Sequence, residues 1–443
     1  MKIQLSDHFT YQRLLHFCLP SIVMMIFTSI YGVVDGLFVS NFVGKIPFAA
    51  INLVMPFIMI LGGFGFMIGT GGSALIAKTL GEGNHKLANR YFSMLIIMTV
   101  ILGLILTTIG IVFARRVSIL LGATDVMLDD CVIYLRTVLL FISPFMLQNV
   151  FQSFLVTAQK PHAGLIVTII AGLTNMSLDA LFIVVFRWGV AGAALATGIS
   201  QCIGGLLPLI LFLGKNDSLL HLVPTRLEWR PFFLSCTNGM SELMGNISSS
   251  IVSMLYNFQL LNYAGENGIA AYGVLMYVQF IFIAVFFGYT IGVGPVIGYH
   301  YGAGNHAELK NLLRKSLKLN IITGISMTIL ANLFAGALSR IFVGYDPELY
   351  AMTKSAFHIF ALSFLVCGIN IFASAFFTAL NNGLVSAVIS FLRTLVFQVG
   401  SVLILPAFLG LTGIWLSNTF ADLMAMLISI IFLAAMRKRY HYA

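Results

Sequence analysis

Four acids and one base fall inside apolar stretches of the chain: Asp35, Asp179, Glu242, Asp422 and Arg393. An ionisable side chain held in hydrocarbon costs about 2.5–3.5 kcal/mol on insertion scales, so such groups persist where they do chemistry or pair with one another. Asp35 sits 21 residues into the stretch 14–40 and Asp179 sits 17 residues into 162–186. At a helical rise of ~1.5 Å per residue they lie about 31 Å and about 25 Å from the same side of a membrane. Thr197, seven residues into 190–213 from the opposite side, reaches a similar depth. Asn175 precedes Asp179 by one helical turn and shares its face. Two carboxylates, an amide and a hydroxyl at one depth make an oxygen-rich site. Adjacent buried carboxylates do not both stay charged without a cation between them, so the pair is expected to hold a proton or a small hard cation and to titrate as a unit.

The other charges read differently. Arg393 and Asp422 are expected to form a charge-compensated structural cluster, because a guanidinium does not lose its proton and needs a buried partner. Glu242 stays open between a second cation site and a contact for a cationic substrate. Met240 and Met244 beside it, and Met55 in the first half, are flexible and polarisable, which suits a pocket that accepts many shapes. Pro20 removes a backbone hydrogen bond from the helix that carries Asp35 and is the expected hinge. The five cysteines show no CxxC or Cys/His spacing, so neither a disulfide framework nor a zinc site is read. No GxxxxGK[ST] run occurs, which excludes ATP as the direct energy source of this chain. No cofactor is expected, only a coupling ion, H⁺ or Na⁺.

The elements that must position these residues follow from composition. Of the 443 residues 59% are hydrophobic and 9% charged, against roughly 25% charged in soluble domains. The long apolar stretches predict an all-α integral membrane protein. Twelve transmembrane helices are predicted, near 14–40, 52–78, 88–113, 132–156, 162–186, 190–213, 231–263, 270–297, 312–336, 356–380, 385–408 and 412–436. Sixteen Lys and Arg fall on the side of the termini and seven on the other, which puts both termini in the cytoplasm and assigns the basic charge to topology rather than to nucleic acid. A short interfacial helix is expected from Ser6 to Phe17, capped by Ser6 or Asp7.

The chain also repeats itself. Gly-Glu-Gly-Asn-His at 81–85 returns as Gly-Ala-Gly-Asn-His at 302–306, an offset of 221 residues. The same offset relates Asn149 to Asn370 and Gly189 to Gly410. Six helices per copy is an even number, so the copies insert in one orientation, related by a pseudo-two-fold axis along the membrane normal. The predicted division is an N-lobe at 1–213, a polar cytoplasmic linker at 214–230 and a C-lobe at 231–443. The acids do not repeat: Tyr256 stands at the position of Asp35 and Gly400 at that of Asp179.

Trp-Gly-Val-Ala-Gly-Ala-Ala-Leu-Ala-Thr at 188–197, preceded by Asn175 and the run Leu178 to Ile183, resembles the signature of the fifth and sixth helices of MATE (multidrug and toxic compound extrusion) transporters, of the prokaryotic multidrug-efflux type. Pro20, Asp35 and the Gly-Glu-Gly-Asn turn fit the same pattern, and the resemblance spans essentially the whole chain. It implies two six-helix lobes in a V around a central cavity. It implies a multi-pass protein of the cell membrane, functional as a monomer, that exports lipophilic or cationic small molecules by alternating access in exchange for H⁺ or Na⁺. The family's N-lobe cation site matches Asp35, Asn175, Asp179 and Thr197. A C-lobe site described for some members pairs a seventh-helix Glu with a tenth-helix Asp; Glu242 matches the first, but 356–380 contains no acid. The alternatives are a flippase for lipid-linked or polysaccharide precursors from the same superfamily and, from another class, an intramembrane enzyme.

Overall fold

The computed structural model describes residues 3–214 and 217–442, and among them there is no strand. The helices are α1 (Tyr11–Phe42), α2 (Lys45–Gly81), α3 (His85–Leu120), α4 (Leu128–Leu139), α5 (Ile142–Thr157), α6 (Pro161–Asp179), α7 (Gly189–Leu213), α8 (Trp229–Asn238), α9 (Met240–Gly302), α10 (His306–Val343), α11 (Pro347–Phe360), α12 (Phe364–Ala379), α13 (Gly383–Phe391), α14 (Gln398–Leu409), α15 (Leu411–Ala435) and α16 (Arg437–Tyr440). Ten helices are long and apolar enough to cross a membrane, and α4 with α5, bent by 56°, makes one more. The 63-residue α9 would be about 95 Å long if straight, some three times a hydrocarbon core. It breaks at Gly265, where φ is 62° and ψ −151°, and therefore counts as two spans, which brings the total to twelve.

The duplication is visible in the backbone. Positive-φ glycines recur at the repeat offset: Gly44 with Gly265, Gly83 with Gly304, and Gly189 with Gly410. The repeated pentapeptide is a helix start built twice. Its second glycine takes the positive φ that a side chain resists, and its asparagine caps the helix that follows. Asn84 accepts from the Leu87 N–H and Asn305 from the Glu308 N–H, each at 3.1 Å. Its first glycine is an interface residue. A Cβ at Gly81 would collide with the Tyr299 carbonyl, and one at Gly302 with that of Lys78.

Those contacts join the two lobes. α2 runs along both halves of α9, and Gly71 against Ser235 and Gly239 against Met67 are further backbone-close approaches. They fall in the half of the molecule that carries both termini: His441 stacks near His306, Tyr440 near Tyr301, and Phe9 bonds to Glu308. Toward the other end, Gly32 and Gly36 of α1 and Gly273 of α9 face open space. The closest backbone approaches between the lobes thus gather in the terminus-bearing half.

Several expected boundaries shift. The predicted span 132–156 is two helices with a corner at 140–141, and the predicted loop between 263 and 270 shrinks to the turn at Gly265. The interfacial helix expected from Ser6 to Phe17 does not form as a separate element. Residues 3–10 are turn and extended chain, Thr10 accepts from the Arg13 N–H at 3.3 Å, and α1 starts at Tyr11. The reason is tertiary: Leu5 and Phe9 are fully buried, so this segment follows a docking surface rather than an amphipathic period. From 220 to 228 the linker is laid along the start of α3, with the His221 N–H on Asn89 Oδ1, the Val223 N–H on Ser93 Oγ and Arg90 paired to Glu228 at 3.0 Å.

Candidate functional site

α1 leans on α6, and the fit depends on Gly172, where a Cβ would collide with the rings of Phe27 and Tyr31. One turn beyond Tyr31, α1 presents Asp35 to α6, beside both Asp179 and Asn175. α6 ends at Asp179 and the backbone passes into a π-helical stretch over Ala180–Val185. Such widened turns often accompany functional sites. Thr197 comes from α7, packed on α6, with the Tyr134 ring of α4 beside it and near both carboxylates. Asp179 is 0% exposed and Asn175 2%, whereas Asp35 and Thr197 are half-buried.

The oxygens here lack donors. Asp35 Oδ1, both Asp179 oxygens, Asn175 Oδ1 and Thr197 Oγ1 are buried with no hydrogen-bond partner among the described residues. Buried polar atoms are nearly always satisfied, and a cluster of orphaned acceptors is a place where a positive species belongs. Two carboxylates in contact share a hydrogen bond only when one carries a proton; otherwise a cation must lie between them. Of the four residues expected at the ion site, Asp35, Asn175 and Asp179 lie together, and Thr197 is linked to them through Tyr134. Sequence reasoning missed Tyr134 and Tyr31, the second lying near Asp35 and against Gln148. Phenols in apolar helices carry no charge signal and are indistinguishable from packing aromatics without coordinates.

At the equivalent place in the C-lobe the positions of the two acids hold uncharged residues, Tyr256 and Gly400, with the Arg393–Asp422 pair nearby. The Tyr256 hydroxyl donates to Gln398 Oε1 at 3.3 Å, and Gln398 Nε2 donates to Asn418 Oδ1 at 2.5 Å. Tyr256 stacks on Tyr272, ring centroids 4.9 Å apart. Tyr256 and Asn418 occupy the positions of Asp35 and Thr197 one repeat later. A phenol–amide chain, with Asn418 Nδ2 left unpaired at its end, stands where the N-lobe has its two carboxylates.

Arg393 Nε donates to Asp422 Oδ1 at 2.7 Å, with side-chain exposures of 16% and 2%. Asn370 Nδ2 donates to the Asp422 carbonyl and ties α12 into the same corner. Glu242 is half-buried at the seam where α2 meets α9, close to Leu243 and Asn246, which pack over Gly63, and no ion pair to its carboxylate occurs among the described residues. Met240 packs at that seam against the core of α2, α3 and α5; Met55 instead packs on the outer core around Val54 and Ile58, and Met244 is half-buried. Pro20 is buried inside an α1 that runs through it unbroken; the neighbouring Cys18, Ser21 and Ile22 lie against Gly292 and Gly288 of α9.

Comparison with known proteins agrees with this architecture. Multidrug export protein MepA of Staphylococcus haemolyticus is 25% identical over 436 residues, 97% of this chain and 94% of that protein. Two solved structures superpose at 21% identity over 98% of each chain: a MATE in complex with MaL6, TM-score 0.93, and an outward-facing multidrug resistance MATE transporter of the MOP superfamily, TM-score 0.92. The MatE family model matches twice, over residues 20–181 and 243–404, one copy in each lobe. A twelve-helix duplicated membrane protein in which both repeats match that model leaves one assignment: the chain belongs to the MatE family.

Proposed function

We propose that this protein is a secondary active multidrug exporter that moves lipophilic or cationic small molecules out of the cell against inward H⁺ or Na⁺. The observation that carries the reading is the Asp35–Asp179 contact, with five orphaned oxygens around it and no counter-charge. In this account the ion enters from the open side, meets the half-buried Asp35 first and is held against Asp179, with Asn175 and Thr197 as further oxygen donors. Both termini lie in the cytoplasm, so the cleft opens outward, and the protein works as a monomer in the cell membrane. The working units are the lobes 1–213 and 231–443, joined by the linker 214–230, with Pro20 as the place where α1 bends during the cycle.

The coupling-ion site belongs to the N-lobe, because the positions of Asp35 and Asp179 one repeat later hold Tyr256 and Gly400 and no acid pair. Glu242, with Met240, Met244 and Met55, supplies the substrate-facing or second cation contacts, while Arg393 and Asp422 serve structure. A flippase for pyrophosphate-linked lipids would need free cations along its path, and Arg393 has its charge engaged by Asp422. An enzymatic role finds no support, since the buried carboxylates face each other rather than a substrate-sized opening.

Purified protein in liposomes, loaded with a fluorescent lipophilic cation and given H⁺ and Na⁺ gradients separately, tests this reading. One gradient should drive accumulation and the other should not. Equal, gradient-independent leakage in both arms would overturn it.

A further inference from the structure

The residues ahead of α1 are docked on the opposite lobe. Leu5 and Phe9 are 0% exposed and pack into a core supplied mainly by the C-lobe, among Val296, Ile297, Leu309 and Leu312. His300 of α9, 2% exposed, lies under this segment and faces the backbone of Leu5 and Asp7. One side chain organises the contact. Glu308, in the first turn of α10 and 5% exposed, accepts the Phe9 N–H at 2.9 Å and Asn311 Nδ2 at 2.8 Å on one oxygen. Its other oxygen lies 2.6 Å from His8 Nδ1. The Phe9 carbonyl is held in turn by Lys315 Nζ at 2.6 Å and Asn311 Nδ2 at 3.1 Å.

Chain continuity gives this clamp its consequence. Residue 10 caps α1, and α1 is one unbroken helix with Asp35 toward its far end. α1 belongs to the N-lobe through α6, yet its entry is fixed to α10 of the C-lobe. For the terminus-bearing end to open, the seam at Gly81–Tyr299 and Gly302–Lys78 must part, and the start of α1 must leave Glu308 or drag α10 with it.

We infer that Glu308 is a positioning residue of the transport cycle: it clamps the entry of α1 to the C-lobe and holds the terminus-bearing ends of the lobes together. The inference rests on the alternating-access reading above. Truncating Glu308 strands the buried Phe9 N–H and frees His8, so the clamped form loses its stabilising bonds while the released form, where Phe9 meets water, loses little. The equilibrium therefore moves toward opening at this end.

The test is a distance measurement between spin labels on cysteines replacing Lys86 and Lys310, exposed at the starts of α3 and α10, in full-length protein with Cys202 and Cys236 changed to alanine. The background protein should show a short-distance population and a minor longer one that grows when the substrate or ion gradient is reversed. Glu308→Ala should raise the longer population at least threefold without any gradient, and Glu308→Gln, which keeps an acceptor for Phe9, should raise it less. If Glu308→Ala does not fold, His8→Ala with Asn311→Ala removes three of the same contacts from side chains that are not buried in the core and should act in the same direction. Switching in the background protein with unchanged distances in the folded variants would overturn the clamp alone. No switching under any gradient would overturn the alternating-access reading, and the clamp with it.

Discussion

Asp35 and Asp179 face each other across the seam between α1 and α6, with no donor among the described residues to Asp35 Oδ1 or to either oxygen of Asp179. An arrangement of this kind is stable only with a positive species in it, which ties the packing of two helices to the ionic state of the site. In the proposed cycle, loss of that species would leave the repulsion between the carboxylates acting directly on the contact that seats α1 against Gly172.

The pair should behave as one unit under mutation. Asp35→Asn and Asp179→Asn should each insert and fold, and each should reduce gradient-driven export by at least about 100-fold. The double variant should be no more than a few-fold worse than either, because coupled residues are not additive. Initial rates of dye export from proteoliposomes check this; losses that multiply would mean two independent sites.

The C-lobe network should matter for stability and little for coupling. Gln398→Leu removes the link between Tyr256 and Asn418 and leaves both short of a partner, at about 1–3 kcal/mol per stranded group. Thermal unfolding in detergent should register the loss while the ion dependence of export is unchanged. A changed ion dependence would place coupling chemistry in the C-lobe.

Breaking the Arg393–Asp422 pair from one side should be costly. Arg393→Leu leaves a carboxylate 2% exposed with no counter-charge, and loss of one member of a buried pair costs about 3–5 kcal/mol. Arg393→Leu combined with Asp422→Asn should recover part of that loss in yield and melting temperature, whereas Arg393→Leu with Glu242→Gln should not.

The seam between the lobes should tolerate no side chain at its glycines. Gly302→Ala places a Cβ against the Lys78 carbonyl, and Gly81→Ala places one against that of Tyr299. Each should cut export by at least about tenfold and increase labelling of a cysteine introduced at Ala303, measured with a membrane-impermeant maleimide in everted vesicles.

Much of this was legible in the sequence because hydrocarbon makes charge informative. Depth and helix face alone place Asp35, Asp179 and Asn175 near one another, as the structure does, and the 221-residue offset predicts a duplication that the positive-φ glycines repeat in the backbone. The contacts that escaped notice are those whose residues carry no such penalty. Tyr134 and Tyr31 read as ordinary aromatics, and the Tyr256–Gln398–Asn418 chain joins residues far apart in sequence. The segment from Ser6 to Phe17 offers a capping residue ahead of an apolar stretch and reads as a short interfacial helix; the C-lobe surface that buries Leu5 and Phe9 explains why the chain stays extended ahead of Tyr11. The loop expected between 263 and 270 falls on the polar run Gly-Glu-Asn-Gly, where the chain does turn; that run does not show that one residue, Gly265, carries the whole turn.

The central claim is that the Asp35–Asp179 site carries the coupling ion, and counter-ion flux measures it most directly. In proteoliposomes with no imposed ion gradient, a gradient of lipophilic cation should drive measurable H⁺ or Na⁺ movement in the opposite direction, followed with an internal pH dye and with a Na⁺-sensitive dye. The account predicts that wild-type protein moves one of the two ions, and that Asp179→Asn moves neither while still binding the dye cation with an affinity within a few-fold of wild type. Substrate-driven ion flux through Asp179→Asn at the wild-type rate would contradict it.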